Sequence, residues 1–223
     1  MSLQAELDAF KADFEAGKPP YSVPYSVVEA MHRATAELKK SGASERALKV
    51  GARAPGFELQ DSQGEPVSSE KLLAQGPLIV SFYRGVWCPY CNMELKALER
   101  TLDQYKAAGA NLVAISPQTR SNSRKSVTTN NVTFPILNDL NNKTAKEFGL
   151  VFTMPDYLRE VYKLASIDLA VFNDDPSWTL PMPSRYVIGP DSEILYADVN
   201  PDYTRRPEPK ELLSALTKTK SSV

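Results

Sequence analysis

Cysteine and histidine are scarce: two cysteines and a single histidine in 223 residues. A structural zinc site wants about four Cys or His ligands, so Cys88, Cys91 and a distant His32 do not supply one. His32 lies beside a helical apolar stripe and reads as a surface or packing residue. No apolar run approaches the ~20 residues that a membrane span requires. An excess of one charge is missing too. The formal net charge is −1, which makes neither nucleic acid nor an anionic membrane an expected partner. The opening residues alternate charge with apolar side chains, the pattern of neither a signal peptide nor an Arg-rich transit peptide. A cytoplasmic location is therefore expected, and Asn131-Val-Thr and Asn142-Lys-Thr read as chance matches to a glycosylation pattern. Repeats and low-complexity segments are absent.

What is present centres on Ser81-Phe-Tyr-Arg-Gly-Val-Trp-Cys-Pro-Tyr-Cys91. Upstream of the cysteines, Pro77 to Tyr83 is an almost unbroken apolar run, as expected of a buried central strand. Downstream, Leu95, Leu98, Leu102 and Tyr105 make a helical stripe that Gly109 ends. The cysteines thus fall where a strand turns into a helix, and Cys88 lies near the helix N-terminus. Free N–H groups and the helix dipole there favour a thiolate. Three uses of such a pair are open: two buried structural thiols, a metal site, or a dithiol that cycles through a disulfide. Pro89 in the first helical turn and Trp87 before the pair go beyond the first. Too few ligands stand against the second. The third needs only these residues at this spacing, and in a cytosolic chain the pair reads as catalytic.

Residues 1–47 read as a helical extension. Leu3, Leu7, Phe10 and Phe14 form one stripe, ended by Gly17-Lys-Pro-Pro20. Ser26-Val-Val-Glu29 reads as a capping box opening a second helix, with Val27, Val28, Met31, Ala34 and Leu38 on one side. Such helices need a surface, either their own core or a second subunit in a homodimer. Residues 48–223 read as the main domain. A strand over Phe57 to Leu59 and a turn at Asp61-Ser-Gln-Gly64 come first, then a short helix over Glu70 to Ala74. Leu112 to Ile115 completes a strand–helix–strand unit and hence a parallel pair. Phe134 to Leu137 is a further strand, and a helix over Lys143 to Phe148 ends at Gly149. Val151 to Pro181 reads as a helix and a loop. Arg185 to Ile188 and Ile194 to Val199 form a hairpin, and a last helix runs from about Glu208 to Thr217. The expected class is α/β, a central mixed sheet with helices on both faces.

Gly51-x-x-Ala-Pro-x-Phe57, Phe82-Tyr-Arg-Gly-x-Trp-Cys-Pro-Tyr-Cys-Asn92 and Ile115-Ser-Pro-Gln118 resemble the peroxiredoxin-like branch of the alkyl hydroperoxide reductase / thiol-specific antioxidant family. The resemblance covers about residues 48 to 217 and implies a thioredoxin fold. In its alignment Cys91 takes the place of the peroxidatic cysteine, while Arg84 stands where the family has proline and Cys88 where it has threonine. The family's second active-site arginine would fall near Pro183. Trp87-Cys-Pro-Tyr-Cys91 and Met182-Pro183 are also similar to the thioredoxin and glutaredoxin pair and its cis-proline.

Expected activity is thiol-dependent reduction of hydroperoxides by the Cys88–Cys91 dithiol, reset by a thioredoxin- or glutathione-type reductant. Thiol–disulfide exchange is the alternative. A third reading, a metal or iron–sulfur centre shared across a dimer, is a binding role. No cofactor is expected for the first two. Cys88, first in the helix, is expected to be exposed and low in pKa, with Cys91 resolving the intermediate. Arg84 is a candidate support for the thiolate or a peroxide oxygen. Trp87 and Tyr90 are candidate rim residues, and Pro183 a candidate platform for substrate backbone if its peptide is cis.

Overall fold

The apolar run becomes β3 (Leu78–Phe82), buried along its whole length, in the computed structural model, which describes residues 2–218. The end of the expected 48–223 unit lies outside the described residues. Because strand side chains alternate, β3 feeds two cores. Leu78, Val80 and Phe82 pack with Leu73 of α3 (Ser69–Leu73) and Ala145 of α6 (Lys143–Glu147). Ile79 and Tyr83 face α1 (Leu3–Glu15), α4 (Pro89–Ala107) and α9 (Pro209–Lys218). Beside β3 run β4 (Asn111–Ser116), in parallel, and β8 (Ser184–Ile188), antiparallel. The remaining strands are β1 (Glu58–Asp61), β2 (Pro66–Ser68), β5 (Ile136–Asn138) and β9 (Ile194–Val199). Sheet order is β2-β1-β5-β4-β3-β8-β9. This is the mixed sheet with helices on both faces that the sequence predicts.

Differences lie where a pattern was too short or too polar to read. Strand β2 has only three residues, so the turn at Asp61–Gly64 is the tip of a hairpin with β1. Helix α5 (Arg120–Asn130) was not anticipated, because its buried face is Asn122, Ser123, Ser126 and Asn130 rather than an apolar stripe. Where a helix and a loop were expected, Val151 to Pro181 holds two short strands and two helices. These are β6 (Val151–Thr153), α7 (Asp156–Leu164), α8 (Leu169–Asn173) and β7 (Thr179–Pro181), with β6 and β7 paired as a separate ribbon. The capping box at Ser26 is absent. Helix α2 (Tyr25–Lys40) starts after Pro24 and has no side-chain cap, so Ser26 already lies in its first turn.

Both N-terminal helices dock on their own chain. Leu3 and Leu7 enter the core beside α4, and the free N–H groups of Leu3 and Gln4 donate to the Glu208 carboxylate at 3.0 Å each. Met31 and Ala34 of α2 pack on a third cluster around Leu158, Tyr162 and Trp178. Leu7→Ala should therefore cost about 2–5 kcal/mol of unfolding free energy, and amides from Leu3 to Leu38 should exchange slowly. A negligible cost in denaturant unfolding, or fast exchange throughout, would mean that α1 does not hold this docked position.

Candidate active site

Cys88 is the N-cap of α4 and Pro89 its first residue, so the missing proline N–H falls where no helical partner exists. Cys91 follows in the first turn, and its thiol donates to Cys88 Sγ at 2.8 Å. Both cysteines are reduced. The loop that delivers them is pinned from several sides. Gly85 holds φ +147°, and a Cβ there would run into the Trp87 ring. Val86 N–H donates to Gln118 Oε1 at 2.9 Å, and Asn92 Nδ2 donates to the Val86 carbonyl at 2.7 Å. Gln118, a motif residue with no role assigned from sequence, is itself buried and donates to Tyr83 Oη and Ser126 Oγ.

Cys88 is not the exposed thiol expected: it is 1 % exposed and Cys91 0 %. Aromatic side chains from the N-terminal helices cover the start of α4. Phe10 meets Tyr90 edge-on at 5.1 Å between ring centroids, and Tyr203 meets Tyr90 at 5.5 Å. The expected acidity survives this burial. Burial pushes the Cys88 thiol up, but the Cys91 S–H bond and the Arg84 and Arg206 charges more than offset it and bring the pKa to about 6. Cys91 goes the other way: burial and its donated bond to Cys88 hold it well above the ordinary thiol range.

Arg84 is 3 % exposed, and no carboxylate lies within salt-bridge reach of it among the described residues. Its guanidinium lies 4.1 Å from the Tyr203 ring centroid and 4.7 Å from that of Trp87, and donates to Tyr162 Oη at 2.5 Å. A buried unpaired ion costs several kcal/mol, and ring faces, worth about 2 kcal/mol or more each when desolvated, offset part of that cost. Cys88 and Arg84 line the same cavity, and the Cys88 thiolate form would supply the countercharge. Arg84→Met should raise the Cys88 pKa by roughly one to three pH units. A titration of alkylation rate that stays where it was would show that Arg84 does not act on Cys88.

Sequence analysis missed a second charged cluster behind Cys91. Ser81 and Arg185 are direct cross-strand partners on β3 and β8, so both project from the same face of the sheet. Both donate to Glu94 Oε1, at 3.0 and 2.7 Å. Arg206 Nε donates to the other Glu94 oxygen, and Arg206 Nη2 reaches Cys91 Sγ at 3.7 Å. Glu94 one turn after Cys91, on the apolar stripe of α4, was the available signal. Arg206, from the loop after β9, gave none. Two residues past Pro183, where the resemblance puts the family's second active-site arginine, Arg185 is fully buried and bound to Glu94.

Pro183 differs from its expectation. Its peptide is trans, its side chain is buried, and it lines a cavity of about 410 Å³ on one side of Arg84. On the other side, Trp87, Cys88 and Tyr90 line a cavity of about 560 Å³, together with Phe10, Phe14 and Met31. His32 sits on the surface against Glu15 Oε1 at 2.6 Å. Among the described residues, no three His, Cys, Asp or Glu side chains cluster as metal ligands, and no helix is long and apolar enough to cross a membrane.

The AhpC/TSA family model matches residues 50–197. Peroxiredoxin Q of Sedum lineare, a chloroplastic protein, is 30 % identical over 148 residues, spanning 65 % of this chain and 77 % of its own. Peroxiredoxin Q of Oryza sativa subsp. japonica is 31 % identical over 100 residues, and the match spans about half of that protein, 46 %. Peroxidoxin BcpB from Mycobacterium tuberculosis shares the fold with a TM-score of 0.60 at 20 % identity, over 77 % of this chain and 97 % of that one. With its cysteine pair at the start of α4 and this match over most of the sheet, the chain belongs to the AhpC/TSA family, as a peroxiredoxin-like, thiol-dependent enzyme on a thioredoxin fold.

Proposed function

We propose that the protein reduces hydroperoxides through Cys88 and Cys91, with Cys88 as the attacking sulfur. The observation that carries this assignment is the asymmetry of the pair: Cys88 is the N-cap of α4 and accepts the Cys91 S–H at 2.8 Å, an arrangement that lowers the Cys88 pKa and raises that of Cys91. The Cys88 thiolate attacks the outer peroxide oxygen, the O–O bond breaks, and the alkoxide leaves and takes up a proton as the alcohol. Cys88 is then a sulfenic acid. Cys91 loses its proton and attacks the Cys88 sulfur from 2.8 Å away. Water leaves and a disulfide forms. An external thiol donor returns the pair to the dithiol.

Arg84 in this scheme stabilises the thiolate and then the departing oxygen, which briefly carries negative charge. Arg206, oriented by Glu94, supports Cys91 when it ionises. Trp87 and Tyr90 wall the approach to Cys88, and Pro183 lies behind Arg84. Residues 48–223 are the catalytic unit and residues 1–47 an extension that roofs it, in a cytosolic protein. Disulfide exchange fits the Cys-Pro-Tyr-Cys spacing, but a buried Pro183 and a roofed Cys88 count against a protein disulfide as substrate. Stopped-flow oxidation of the reduced protein by hydrogen peroxide, an organic hydroperoxide and an oxidised dithiol tests the choice. Both peroxides should oxidise the pair faster than the disulfide does. The reverse order would make the protein a disulfide reductase.

A further inference from the structure

We infer that Tyr162, on α7, donates the proton that the departing peroxide oxygen takes up, with Arg84 beside it carrying the charge. The inference rests on the peroxide reduction proposed for Cys88, in which a leaving alkoxide needs a proton.

Cys88, Arg84 and Tyr162 all line the cavity of about 560 Å³. Tyr162 is held there from two sides. Its ring meets Trp87 edge-on at 5.5 Å between centroids, and its Oη accepts from Arg84 Nη2 at 2.5 Å. A phenol oxygen both accepts and donates, and here the donor half is unused: among the described residues nothing accepts the Tyr162 O–H. Tyr162 is only 3 % exposed, and a buried donor left without an acceptor costs about 1–3 kcal/mol. Arg84 Nε is a second buried donor with no partner. Two such donors on one wall, one of them charged, suit an oxygen that gains negative charge and must then be protonated.

The other acids that could serve are missing. No Asp, Glu, Lys or His lines this cavity among the described residues. Tyr90 and Tyr203 also line it, but Arg84 stacks on the Tyr203 ring and hydrogen-bonds to neither hydroxyl. Burial keeps Tyr162 a phenol at neutral pH against the pull of the Arg84 charge. That same charge stabilises the phenolate once the proton has gone.

The step balances. The Cys88 thiolate bonds to the outer peroxide oxygen as the O–O bond breaks, and the electron pair of that bond stays on the inner oxygen. Tyr162 protonates that oxygen to the alcohol. Water in the cavity then returns a proton to the phenolate, which replaces the one Cys88 released on ionising.

The test is single-turnover oxidation of the reduced full-length protein by tert-butyl hydroperoxide and by peracetic acid. The first releases a strongly basic alkoxide, which needs the proton; the second releases acetate, which does not. Tyr162→Phe, checked for folding by its melting curve, should react on the order of 10²-fold more slowly with tert-butyl hydroperoxide and lose little rate with peracetic acid. Phe keeps the ring contact with Trp87, and a disturbed Arg84 or Cys88 would slow both oxidants alike. Equal losses, or no loss with the hydroperoxide, would overturn the inference. In the wild-type protein, transfer to D2O should slow the hydroperoxide more than the peracid, and equal slowing would overturn it without any variant. A wild-type protein inert to both oxidants is a different result, which removes the peroxidase proposal and the inference with it.

Discussion

Cys88→Ser is expected to lose peroxide consumption by on the order of 10³-fold or more, as removal of a nucleophile does. Cys91→Ser is expected to keep its first turnover. With the pKa of Cys88 lowered to about 6, its thiolate is favoured at pH 7 over that of a thiol of ordinary pKa, which is mostly protonated there. Removing Cys88 therefore removes both the ionised form and the sulfur that the peroxide meets. Cys91→Ser keeps an O–H able to donate to Cys88, so the low pKa should persist, and a sulfenic acid should accumulate because nothing condenses with it. Cys91→Ala lacks that donor, and its Cys88 pKa should rise. Intact mass after one equivalent of peroxide separates these outcomes. If Cys88→Ser stays peroxide-reactive and Cys91→Ser does not, Cys91 is the attacking sulfur, as the family alignment has it.

The largest stability effect should come from Glu94→Ala. Glu94 is fully buried and answers both Arg185 and Arg206. Burial works to raise its pKa, but the two guanidinium charges hold it below the ordinary carboxylate range. Breaking a buried pair leaves charge uncompensated, at about 3–5 kcal/mol, and here two arginines are left rather than one. Because the folded pKa lies below the unfolded one, the contribution of Glu94 is complete above the ordinary glutamate value, about 4.3. It is lost as pH falls through the depressed value. Denaturant unfolding should show the loss at pH 7, and Glu94→Gln should flatten the acid limb of stability. A wild-type-like midpoint for Glu94→Ala would mean that the cluster is not the clamp on α4 and β8 that its hydrogen bonds describe.

The site was legible in sequence where chemistry and periodicity coincided. The unbroken run before Tyr83 is the buried strand, Pro89 marks the first turn of the helix, and the Leu95–Tyr105 stripe faces the sheet. The place of Cys88 at the start of α4 was legible too, although its burial was not. Burial there comes from Phe10, some 80 positions upstream of Tyr90, a long-range contact that no local pattern encodes. Arg185 and Arg206 escaped for the same reason. A strand arginine looks like an edge residue until the register sets it opposite Ser81 and above Glu94. Helix α5 hid because hydrogen bonds from Asn122 and Asn130, not apolar packing, tie its inner face to the rest of the chain.

The most direct test is residue-resolved alkylation of the reduced wild-type protein across pH, with each cysteine quantified by peptide mass. Cys88 should be labelled with a midpoint near pH 6, while Cys91 remains unlabelled through neutrality. A low midpoint at Cys91, or an ordinary thiol midpoint at Cys88, would contradict the account.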